Sequence, residues 1–139
     1  MNDMTLKRMR HEAIYACYKE GLEGGQFNSW RDAGEWVRKH PAPSYFVSAK
    51  LASRHVGYIL GKTSLLFFSD SSRQMAWDLY SRYMAYKASH PGCRLSRERI
   101  LEEIVTEPAP QFYLSAESIR KIIKSENDKV RRKWQREDT

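Results

Sequence analysis

The chain has 139 residues, 41% hydrophobic and 29% charged, with a formal net charge of +7. That length fits one ordinary domain or two very small ones sharing a core. Its aromatic content (Trp 4, Tyr 8, Phe 5) speaks against a disordered chain, because aromatics supply the large buried areas that offset chain entropy. No apolar run reaches the length of a bilayer span, and Met1-Asn-Asp-Met-Thr-Leu-Lys-Arg8 lacks the apolar core of a signal peptide. The expected setting is cytoplasmic, with no membrane partner.

A first helix is expected from about Leu6 to Leu22, with Met9, Ala13, Ala16 and Cys17 at helical spacing. Gly21-Leu-Glu-Gly-Gly25 stops it. A second helix starts at Ser29, a candidate N-cap with Asp32 three residues on, and carries Trp30, Ala33, Gly34 and Val37. It must end near His40, because proline disfavours helical geometry in the residue before it. Pro41-Ala-Pro43 then stiffens the chain, Tyr45-Phe46 anchors the turn on the core, and Ser48 caps a third helix. That helix bears Leu51, Ala52, His55, Val56 and Ile59.

Gly57-Tyr-Ile-Leu-Gly-Lys-Thr63 has the ending of a phosphate-binding loop but one residue too few between its glycines. It also closes a helix where such a loop should follow a strand and open one. The expectation is a glycine C-cap. Thr63-Ser-Leu-Leu-Phe-Phe-Ser69 reads as a buried apolar connector; the alternative is an exposed patch for a protein partner.

After the connector the pattern returns. Pro108-Ala-Pro-Gln-Phe-Tyr-Leu-Ser-Ala116 overlies Pro41-Ala-Pro-Ser-Tyr-Phe-Val-Ser-Ala49 at an offset of 67 residues. The same offset sets Gly25 on Gly92, Ser29 on Ser96, Glu35 on Glu102, Ala33 on Ile100, Val37 on Ile104 and Val56 on Ile123. Duplication explains a register kept across two helices better than chance does. The second copy has a helix from Arg73 to Ser89 after Asp70-Ser-Ser72, with Ala76, Tyr80, Tyr83 and Met84 matching the first. His90-Pro-Gly92 stops it. A helix from Ser96 follows, with Ile100, Leu101, Ile104 and Val105, and then a long helix capped by Ser115. On that last helix Ile119, Ile122, Ile123, Val130 and Trp134 fall near one face, and Glu117 suits the start of its dipole. The fold expected is all-α: two tandem tri-helical repeats, 1–62 and 70–139, joined by 63–69. They pack either as a pseudo-dimer or as one mixed bundle, with a long basic C-terminal helix.

Catalytic chemistry finds little support. Glu102 and Glu103 are adjacent and diverge on a helix. Cys17 and Cys93 read as reduced, partly buried thiols, and His11, His40, His55 and His90 have no metal-ligand spacing. No nucleophile elbow, kinase set or metalloprotease helix occurs. The expectation is a protein that is not an enzyme, with no cofactor and no metal.

Three helices with a stiff turn before a basic third one resemble the tri-helical helix-turn-helix class in layout, although the Pro-Ala-Pro turn is longer than that of the standard motif. The resemblance implies that the third helices read nucleic acid. Their starts offer Lys50, Ser53 and Arg54 in the first copy and Ser118, Arg120 and Lys121 in the second. Lys124, Lys129, Arg131, Arg132 and Lys133 would follow the phosphate backbone. The expected partner is DNA, ahead of RNA. The second reading is a helical accessory or assembly protein binding a protein through Leu65, Leu66, Phe67, Phe68 and Trp36. Because Trp36 corresponds to Glu103, it is a candidate exposed ring, or else it packs on the connector.

Overall fold

The computed structural model describes residues 2–66 and 68–137, the last of these in backbone only. It is all-helical: α1 (Asp3–Glu23), α2 (Trp30–Arg38), α3 (Ala49–Leu60), α4 (Asp70–Ser89), α5 (Arg97–Ile104) and α6 (Ala116–Glu137). None of these helices is long and apolar enough to cross a membrane.

The helix ends follow local chemistry. The serine hydroxyls of Ser48, Ser69, Ser96 and Ser115 each accept a hydrogen bond from the backbone N–H three residues on, at 3.1 to 3.2 Å. Ser29 occupies the N-cap of α2 without such a bond, because its hydroxyl donates to the Asp32 carboxylate at 3.2 Å. At the end of α1, Gln26 N–H bonds the Gly21 carbonyl and Gly25 N–H bonds that of Leu22, with Gly25 left-handed at φ 69°. α3 ends in the same paired-bond motif, Thr63 to Tyr58 and Lys62 to Ile59. Its left-handed residue is Lys62 (φ 57°), while Gly61 is the ordinary C-cap (φ −83°). Phe46 (φ 52°) and Tyr113 (φ 57°) also take left-handed backbone, a costly state for a bulky side chain.

Packing does not follow the linear division into 1–62 and 70–139. One compact unit comprises residues up to Leu6 and Pro43–Ala109; the other comprises Lys7–Ala42 and Pro110–Thr139. In the first, α3, α4 and α5 pack on one another; in the second, α2 packs on α6. The chain therefore changes units within both Pro-Ala-Pro segments, where proline disfavours helix in the residue before it and interrupts the helical chain.

The core of the α3–α4–α5 unit includes Ala52, Val56, Ala76, Leu79, Ile100, Leu101 and Ile104, all essentially inaccessible. Tyr45 joins it through an N–H bond to the Val105 carbonyl (3.1 Å), and the Arg82 guanidinium lies over its ring. The other unit buries Ile14, Ala33, Val37, Ile119 and Ile123. Here Gly34 is required by close approach: a Cβ on it would stand 2.6 Å from the Ala116 carbonyl oxygen. An aromatic series, Tyr15, Tyr18, Phe27, Trp36 and His40, runs through this unit with successive centroids 5.7, 5.7, 5.6 and 3.7 Å apart.

Two expected core faces are rotated. In α1 the buried residues are Ile14, Tyr18 and Gly21, and in α4 they are Ala76 and Leu79. Ala16 and Met84 face solvent. The Tyr18–Phe27 stack sets the α1 face, with Gly21 leaving room for the Phe27 and Trp36 rings.

Candidate nucleic-acid interface

α6 is a helix of two halves. Ile119 and Ile123 are buried against their unit, and the next residue on that stripe, Asn127, accepts a hydrogen bond from Tyr15 Oη at 2.8 Å. Beyond this bond the stripe continues through Val130 (40% exposed) and Trp134 (64% exposed), and every residue from Lys129 to Arg136 is exposed. Val130 and Trp134 share the face of Ile119 and Ile123, as expected from spacing, but lie on a run of about 15 Å of helix beyond the buried part of that face.

The basic side chains divide by their partners. Lys121 faces Glu117 (3.5 Å), Lys129 faces Glu126 (3.1 Å) and Arg131 faces Asp128 (3.0 Å). Lys121 and Glu117 are both well exposed, whereas Glu126 and Asp128 are only 16% and 33% exposed, so the pairs of Lys129 and Arg131 are partly shielded from solvent. Arg132 donates to the Asp128 carbonyl (3.3 Å), while Lys124 and Lys133 have no ion pair among the described residues. Across the unit, burial holds the His11 pKa below its ordinary value, and Arg10, Lys7 and Lys129 push the same way against Glu126.

At the starts of α3 and α6 some of the expected residues also have partners. Ser53 accepts a hydrogen bond from Arg97 Nε (3.0 Å), and Ser118 Oγ accepts one from the Ser115 hydroxyl (3.0 Å). Arg120 is half-buried, its Cγ lying where a Cβ of Gly34 would be. Its charge adds to those of Arg38 and Lys39 around Glu35, whose carboxyl is held below the usual range chiefly by the Arg38 hydrogen bond. Lys50, Arg54, Lys121 and Lys124 are exposed. Lys50, Ser53 and Arg54 belong to one unit and the α6 residues to the other.

Trp36 is half-buried against Phe27 and His40, so it is not an exposed platform. In the connector, Phe68 packs on His55 and Tyr58 (centroids 5.2 and 5.8 Å), Leu65 is half-buried and Leu66 is 78% exposed. Phe67 lies outside the described residues. Among the exposed aromatics, which include Trp77 (53%), Trp134 is the one that lies beside the basic residues of α6.

One open pocket of about 310 Å³ lies in the α3–α4–α5 unit, lined by Arg82, Ala85, Tyr86, Ser89, His90, Ile104 and Glu107. Its charges are already paired, Arg82 with Glu107 at 2.9 Å and with the Pro108 carbonyl at 3.1 Å. His90 stacks on Tyr86 (4.1 Å) and its Nδ1 lies 2.9 Å from the Tyr86 carbonyl. Among the described residues, no three histidine, cysteine or carboxylate side chains gather where they could hold a metal ion. Cys17 and Cys93 are unbridged, and burial with nearby Glu20 pushes the Cys17 thiol up to about 11, away from thiolate reactivity. Compared with known protein families, with curated proteins and with solved structures, the chain shows no match.

Proposed function

We propose that this chain is a non-enzymatic, cytoplasmic nucleic-acid-binding protein, favouring DNA over RNA, that uses the basic residues of α3 and α6. The observation that carries the reading is the second half of α6, where Lys129, Arg131, Arg132 and Lys133 are all exposed on one continuous helix beyond the core. A helix of this kind presents its charges at fixed spacing to a polyanion, and releasing condensed counterions drives the association.

The proposal includes the duplication. Residues 67 apart share unusual backbone states, Gly25 with Gly92 and Phe46 with Tyr113, and share capping roles, Ser48 with Ser115. In this reading each copy gives its third helix to the other copy's first two, through the Pro-Ala-Pro joints. The second function, docking a protein partner at the connector, has Leu66 in its favour.

Gel-shift or filter binding to DNA and RNA across a salt series tests the proposal. Affinity should fall steeply with salt, and reversing Arg131, Arg132 and Lys133 to glutamate should weaken it by about ten- to a hundredfold. The circular dichroism of this variant should be unchanged. An absent or salt-insensitive signal, or an unchanged affinity in the variant, would sink the reading.

A further inference from the structure

We infer, resting on the nucleic-acid reading above, that the exposed half of α6 is a single-strand site in which a base stacks on Trp134 between phosphate-binding side chains. Trp134 lies one helical turn beyond Val130 on the same face and is 64% exposed, the buried stripe having ended at Asn127. Helical spacing sets Arg131, paired at rest with Asp128, and Lys133 on either side of that face, with Arg132 and Arg136 behind it. An aromatic surface edged by cations is the arrangement that holds an unstacked base and its adjoining phosphates.

The charge chooses the occupant. A second copy of the chain would bring Arg131 and Lys133 against their own equivalents, which like-charge repulsion opposes. Val130 and Trp134 are too narrow an apolar face to enter lipid. A duplex keeps its bases stacked, so it offers the indole no ring to meet. Of the residues suited to duplex edges, Ser53 is bonded to Arg97, Ser118 belongs to the Ser115 cap and Arg120 packs on Gly34, which leaves Lys50, Arg54 and Lys121 exposed.

The test compares the full chain and two variants on an oligo-deoxythymidylate, an oligo-uridylate, a hairpin duplex and poly-glutamate, at one low salt concentration. The single strands should bind more tightly than the duplex. Trp134→Ala should weaken single-strand binding by roughly ten- to a hundredfold, Trp134→Phe should keep most of it, and duplex binding should not change. Because Trp134 is exposed, neither variant should alter thermal unfolding. If duplex binding equals or exceeds single-strand binding and Trp134→Ala is neutral, the stacking site is wrong while nucleic-acid binding stands. If no nucleic acid binds, both fall. If poly-glutamate binds as well as a single strand and Trp134→Ala weakens both alike, the face is a site for acidic polymers and the stacking inference is overturned.

Discussion

α3 and α6 both follow a Pro-Ala-Pro segment, and both start on a serine whose hydroxyl accepts the N–H three residues on. Both bury the same positions of their first turns, Ala52 and Val56 in α3, Ile119 and Ile123 in α6. They then diverge. α3 stops at Leu60 with a paired-bond C-cap, one turn beyond its last buried residue, Val56. α6 runs to Glu137, and its final turns touch no core. One helix start thus supports two uses: a packing helix that ends with its core, and a packing helix extended into a charged rod. Stability should be sensitive to changes in the shared beginning, binding to changes in the unshared end.

The largest effect on that contrast should come from Gly34. In the α2–α6 contact a Cβ would meet the Ala116 carbonyl oxygen at 2.6 Å and Arg120 Cγ at 2.7 Å. Arg120 can move, but the backbone carbonyl cannot without shifting α6. In the other unit the position 67 residues later is Leu101, fully buried, so that α3–α5 contact is built around a side chain. Gly34→Val should cost about 3 kcal/mol or more, from overpacking and a β-branched helix residue together. Urea denaturation measures it. A loss below about 0.5 kcal/mol, the range of ordinary surface changes, would show that α2 and α6 are not so closely joined.

A smaller effect separates the units by pH. His55 is 7% exposed in α3, its Nδ1 has no hydrogen-bond partner among the described residues, and the Phe68 ring covers it. Burial lowers its pKa below the ordinary 6.5. The folded state therefore takes up this proton less readily than the unfolded chain. Its contribution to stability is complete above pH 6.5 and is lost as the pH falls through the lowered folded value. Melting followed from pH 7.5 down to about pH 5 should show Tm falling by a few degrees, and His55→Leu should flatten that slope. His11 contributes in the same direction from the other unit, so the slope should not vanish. An unchanged slope in His55→Leu would place the acid-sensitive group elsewhere.

How far the sequence carries this picture can be judged from particular residues. Caps and joints were legible because their causes are local: Ser48, Ser96 and Ser115 need only the next turn, and the prolines need no partner. The crossing of α3 and α6 into different units was not legible. In the proposed duplication the two copies present similar apolar faces, so periodicity does not tell on which pair of helices Ile119 and Ile123 pack. Periodicity also cannot tell whether a stripe has a partner, and Val130 and Trp134 carry the same spacing buried or exposed. The faces of α1 and α4 were misread because their apolar residues are spread around the helix. Contacts remote in sequence, such as Tyr18 on Phe27, decide which side packs. Of the candidate site, the charged residues were visible and Trp134 was not.

The smallest predicted effect tests how alike the proposed copies are at one helix start. Ser96 Oγ accepts the Arg99 N–H at 3.2 Å, satisfying one of the amide donors that a helix leaves open at its first turn. Ser29, its counterpart, turns its hydroxyl to Asp32, which leaves the cap unmade. Ser96→Ala should therefore cost about 1 kcal/mol, while Ser29→Ala should cost only a few tenths. Both positions are surface-accessible, so packing changes little in either variant. Urea midpoints measured at a common slope separate the two values. Equal losses would mean that Ser29 caps α2 in solution and that the copies are more alike at this turn than their hydrogen bonds indicate.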